Sequence, residues 1–113
     1  MAIINSTKFG NIVVDNKNYD KDIKILPSGK ILNRWGPKGS HLICLEELNE
    51  ILDDKPDVIV IGTGQEKIAK LEPDAKKKIQ EKNIKLIIEP TPQAIISFND
   101  LNEKKAGLFH LTC

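Results

Sequence analysis

Val58-Ile59-Val60-Ile61-Gly62-Thr63-Gly64 is a run of four β-branched apolar residues that ends in a glycine-flanked turn. A strand that is apolar at every position is buried on both faces, as in the interior of a parallel α/β sheet, and unlike a half-exposed hairpin strand. Its carboxyl end is where open α/β sheets place ligands. On the C-terminal side the pattern repeats. Pro73 to Lys82 reads as a charged helix carrying Ala75 and Ile79, with Asn83 as its C-terminal cap, and Lys85 to Glu89 reads as a strand. Thr91-Pro92 then starts a helix whose buried stripe is Ala94, Ile95, Phe98 and Leu101, with the threonine expected to cap the free amides. Ala106 to Leu111 is a last apolar strand, expected between other strands and not on an edge.

On the N-terminal side Leu45, Leu48, Ile51 and Leu52 share one helical face, and Asp53-Asp54-Lys55-Pro56 ends that helix. Before it, from Ile3 to Ile43, short apolar alternations are broken by turn residues such as Asn16-Lys17-Asn18 and Pro27-Ser28-Gly29, which predicts antiparallel hairpins. The 113 residues form one α/β domain, residues 1–113, long enough to bury a core without staples.

Seventeen basic residues stand against 16 acidic ones, a net charge of +1, so no global field draws nucleic acid or anionic lipid. No apolar run reaches the roughly 18 residues of a membrane span, and the first residues lack the pattern of a signal peptide. The expected location is the cytoplasm, where the two cysteines, Cys44 and Cys113, stay free thiols.

Phe9-Gly10, Tyr19, Asp22, Pro27-Ser28-Gly29, Trp35, His41, Ile61-Gly62-Thr63-Gly64, Thr91-Pro92-Gln93-Ala94, Asn99 with Leu101, and the ending Phe109-His110-Leu111-Thr112-Cys113 follow one another in an order that resembles the adipogenesis-associated protein family. A mitochondrial branch of that family is a complex I assembly factor. The resemblance runs nearly end to end. It implies a three-layer α/β fold with a mixed central sheet, helices on one side and an N-terminal β-hairpin layer. It implies no established reaction and assigns no catalytic residue.

Two places have the chemistry of a site. The first is the glycine turn. The third glycine of a dinucleotide fingerprint is replaced by Lys67, and Glu66-Lys67-Ile68 does not supply the Gly-Lys-Ser/Thr of a P-loop. A smaller role remains, in which the amides of Thr63, Gly64 and Gln65, beside Gly62 and with Lys67 and Thr91, hold a small anion. The second is Asn33-Arg34-Trp35-Gly36-Pro37-Lys38-Gly39, which gathers the sole arginine and sole tryptophan. These residue types anchor interfaces, and Arg34, Trp35, Lys38 and His41 form a candidate partner surface. Folding Trp35 over the core is the competing reading.

His41 and His110 are each followed three residues later by a cysteine. Residues three apart in a strand face opposite ways, so no metal ligand is assigned. No nucleophile, base and acid stand in a telling arrangement, and no catalytic residue or cofactor is assigned. The Phe residues read as core, and Lys76-Lys77-Lys78 as a solvated helix face. The sequence therefore leaves two functions: a non-catalytic binding or assembly module with a protein partner, or a small-molecule or anion-binding domain, an enzyme included. Neither involves nucleic acid or membrane.

Overall fold

The computed structural model describes residues 2–113. An antiparallel meander comes first: β1 (Ile4–Lys8), β2 (Asn11–Val14) and β3 (Lys17–Tyr19). A central sheet has the order β5-β4-β10-β7-β9, formed by β4 (Ile23–Ile25), β5 (Ile31–Asn33), β7 (Val58–Thr63), β9 (Lys85–Glu89) and β10 (Lys105–His110). It is mixed: β10, β7 and β9 run parallel, while β4 is antiparallel to both β10 and β5. Two short strands, β6 (Leu42–Ile43) and β8 (Lys70–Leu71), pair beside it. The helices are α1 (Leu45–Asp53), α2 (Pro73–Glu81) and α3 (Thr91–Asp100).

All six residues of β7 and all six of β10 are buried, as the apolar runs at 58–61 and 106–109 predict, with Thr63, Lys105 and His110 buried beside them, and β10 lies between β4 and β7. Their side chains alternate between two cores. Ile59, Ile61, Ala106 and Leu108 face Leu48, Ile51, Ala75 and Ile79 of α1 and α2. Val60 and Phe109 face Ile4, Ile12 and Val14 of the meander together with Ala94, Ile95 and Phe98 of α3. The three layers are therefore α1 and α2, the mixed sheet, and the hairpin layer. Of the helices expected on one side, α3 joins the hairpins. The reason is topological. The β7-α2-β9 crossover moves outward across the sheet, whereas β9-α3-β10 moves back past β7, so two right-handed connections place α2 and α3 on opposite faces.

Gly62 allows the close approach of α3. A Cβ there would stand 2.8 Å from Thr91 Oγ1 and 2.9 Å from the Phe109 ring. Phe9 departs from the core reading. It sits between β1 and β2 and is 62% exposed.

Candidate functional site

The segment from Arg34 to His41 connects β5 to β6 and is built around a buried guanidinium. The Arg34 side chain is 1% exposed. Its Nη1 donates to Asp22 Oδ2 at 2.9 Å and to the Ser40 carbonyl at 2.7 Å. Nη2 donates to the Gly39 and Leu42 carbonyls, both at 3.3 Å, and Nε donates to Glu47 Oε1. All five N–H donors of an arginine are thereby engaged. Two carboxylates and three carbonyls compensate the desolvation, the condition under which a buried charge is tolerated. Arg34 is thus removed from the partner surface. It is the staple that holds the loop, and no donor is left for a ligand.

Glu47 is fully buried on α1, and its Oε2 also accepts the Cys44 amide at 3.0 Å. This is the return half of a capping box, so one side chain caps α1 and pairs with Arg34. Asp22, just before β4, accepts three donors: Arg34, His110 Nδ1 at 2.7 Å and the Leu111 amide at 2.9 Å. Burial pushes its pKa up. The hydrogen bonds from His110 and the Leu111 amide, with the charges of His110 and Arg34, outweigh burial and hold it below the ordinary aspartate value. With Nδ1 facing a carboxylate, Nδ1 carries the proton and Nε2 faces the Thr112 hydroxyl at 3.3 Å. The His41 ring packs edge to face on His110, 5.2 Å between centroids.

On this rigid base Trp35 stands 69% exposed. A cleft of 370 Å³ bordered by Lys21, Asp22, Arg34, Gly36, Ser40, His110 and Thr112 opens at the same network. Lys38 reaches across to Glu72 at 3.1 Å, ahead of α2, and that carboxylate raises its pKa by hydrogen bond and charge. His41 is exposed. Trp35 therefore meets the condition of an anchor, a large apolar side chain presented from a fixed backbone.

The glycine turn is built differently from the expected anion cradle. Gly64, at φ +104, donates its amide to Thr91 Oγ1 at 2.9 Å, and the Gln65 amide donates to the Thr112 carbonyl at 2.7 Å. Glu66 and Ile68 both donate to the Cys113 carbonyl, at 2.9 and 3.0 Å. A side chain at Gly64 would collide with Cys113 and the His110 ring. The amides of Gly64 and Gln65 are thus occupied by the chain itself, which corrects the expectation that they receive an anion. Thr91 is also corrected. Pro90 is the N-cap of α3, and the buried Thr91 hydroxyl instead accepts from Gly64 and donates to the His110 carbonyl at 2.6 Å. Gln65 turns toward the hairpins, its Nε2 donating to Thr7 Oγ1 at 3.2 Å. Lys67 is exposed and lines a separate cleft with Thr63.

Two residues at the centre of the network, Glu47 and Asp22, have no local signal as partners of Arg34. Glu47 lies 13 positions from Arg34, and Asp22 lies 88 positions from His110.

The model of a family described as protein of unknown function (DUF498/DUF598) matches residues 4–109. The chain belongs to this DUF498/DUF598 family. It is similar to the conserved hypothetical protein PH1505 from Pyrococcus horikoshii OT3, with 31% identity over 97% of this chain and 98% of that one, at a TM-score of 0.89. A structure named MT938 matches at 24% identity over 100% of both chains, with a TM-score of 0.85. A Bordetella pertussis protein described as a Mth938-like domain matches at 16% identity over 96% of this chain and 85% of that one, with a TM-score of 0.75. The two last likenesses concern the fold, which is that of Mth938-like domains. Among the described residues of this DUF498/DUF598 protein, no helix is long and apolar enough to cross a membrane.

Proposed function

We propose that this protein is a non-catalytic binding module that docks a protein partner through the Trp35 loop, like the assembly-factor branch of the adipogenesis-associated family that its sequence resembles. One observation carries the reading: an indole 69% exposed on a backbone pinned by a buried arginine. An exposed tryptophan contributes little to folding, whereas a preorganised one loses little conformational entropy on binding. The partner is expected to offer an apolar pocket for the ring, with Lys38 and His41 at the rim.

A photo-crosslinking phenylalanine analogue at position 35, in the native host, tests this against the same analogue at Lys77 on α2. One protein should be captured at position 35 and not at 77. Trp35→Ala should weaken the purified complex about 30-fold or more, the loss of a hot spot, and leave the thermal midpoint unchanged. Equal capture at both positions, or an unaltered affinity, sinks the proposal.

A further inference from the structure

The strand order creates a second concave place, beside the glycine turn. The segment after β7 leads to α2 on one face and the segment after β9 leads to α3 on the other, so the ends of these neighbouring strands diverge. Such a divergence is the general ligand position of open α/β sheets. Here Gly64 and Thr91 stitch the two ends together, with Thr91 N donating to Gly64 O at 3.0 Å and Gly64 N to Thr91 Oγ1 at 2.9 Å. On the α2 side of that stitch lies a cleft of 440 Å³. Its volume is within the range of small-molecule sites, roughly 300–1,000 Å³.

Its lining is chemically one-sided. Lys67, Lys70 and Lys76 contribute three ammonium groups; Ile88, Leu71 and Pro90 contribute apolar wall; no carboxylate borders it. Among the described residues none of the three lysines has an acid within ion-pair distance, although Lys24, Arg34 and Lys38 elsewhere each have one. In a chain of net charge +1, three uncompensated cations in one concavity are a local excess. Like charges sharing a cleft repel, and low-dielectric walls strengthen the field within it. Lys67 also holds a left-handed backbone, φ +62, between Glu66 and Ile68, whose amides are both bonded to the Cys113 carbonyl. Its place at the cleft is thereby set by the far end of the chain.

We propose that this cleft binds a small ligand bearing adjacent phosphates, such as a nucleoside diphosphate, with the three lysines on the phosphates and Ile88 and Pro90 against its less polar body. Several anionic oxygens in one small group match three mobile ammonium donors better than a single carboxylate does. The proposal is independent of the Trp35 surface.

The probes are inorganic pyrophosphate and adenosine diphosphate, titrated into the full chain and followed by calorimetry and by backbone amide shifts. Saturable binding is expected with a Kd below about 1 mM at moderate salt, with shifts at Thr63, Lys67, Lys70 and Ile88. Lys67→Gln and Lys76→Gln should each weaken binding by about tenfold. Lys77→Gln and Lys78→Gln, on the same helix as Lys76 but outside the cleft, should leave it unchanged. All four side chains are exposed, so each variant should keep the wild-type thermal midpoint. Lack of saturation by about 10 mM pyrophosphate overturns the proposal. So does an equal loss in the Lys77 and Lys78 variants, which would indicate diffuse charge attraction. Affinity for a single-stranded oligonucleotide that rises with its length would also overturn it, in favour of an extended nucleic-acid surface.

Discussion

Asp22 joins the start of β4, the guanidinium of Arg34 and the end of β10 through one carboxylate. Its pKa lies below that of the unfolded chain. The carboxylate's contribution to stability is therefore complete above the unfolded value, near pH 4, and is lost as pH falls through the lower folded value. In Asp22→Asn the charge is gone at every pH, while Arg34 and His110 stay buried. That variant should be roughly 2–4 kcal/mol less stable at neutral pH, the cost of breaking a buried pair. It should also lack the part of the acid destabilisation that Asp22 supplies to the wild type. Urea denaturation of both proteins between about pH 7 and pH 2 measures this. Parallel stability curves would show that Asp22 does not act through its charge. Arg34 itself teaches a related lesson. Its residue type and its loop suggested an interface contact, yet its side chain is buried as support for the loop and its neighbour Trp35 is the one left exposed.

At the scale of elements, the last residues act as a clasp. Leu111 accepts the Gly10 amide at the hairpin tip, Thr112 accepts that of Gln65, and Cys113 those of Glu66 and Ile68. The loop between β7 and β8 is thus ordered by backbone bonds to residues distant in sequence. Deleting Thr112 and Cys113 should release the Gln65, Glu66 and Ile68 amides and speed their hydrogen exchange by about tenfold or more. Exchange within the β7–β10 ladder should stay slow. Unchanged protection at those three amides would mean that the loop holds its own shape. The helices need less support of this kind. The 3.6-residue spacing of Leu48, Ile51 and Leu52 in α1, and of Ala75 and Ile79 in α2, is enough to assign their buried faces. At the end of α3, buried Lys105 donates to the Phe98 carbonyl, which also accepts the Leu101 amide, and, at 2.9 Å, to the Leu101 carbonyl.

For the whole molecule, the central sheet lies between the two cores, and β7 and β10 contribute side chains to both. Opening either strand exposes both cores, whereas the edge strands β5 and β9 can fray alone. The slowest-exchanging amides should accordingly lie in β7 and β10 and report the global unfolding free energy, with β5 and β9 exchanging earlier through local opening. A slow set centred on the meander would contradict this account. Much of this organisation was legible in the residues. Unbroken β-branched runs identify fully buried strands because each alternate side chain needs an apolar neighbour on its own face. Helical spacing and turn residues likewise depend on contacts within a few positions. From these, one α/β domain of hairpins followed by alternating helices and strands follows directly. The site was not legible in the same way. That Arg34 is buried by Asp22 and Glu47, that Thr91 bridges β7 to β10, that the chain's own end fills the Gly64 turn, and that Ile88 and Pro90 join the three lysines in one cleft all depend on chain closures between residues apart in sequence. Periodicity reports local neighbours, and it carries no record of which distant group will satisfy a buried donor. Only the packed tertiary structure decides that.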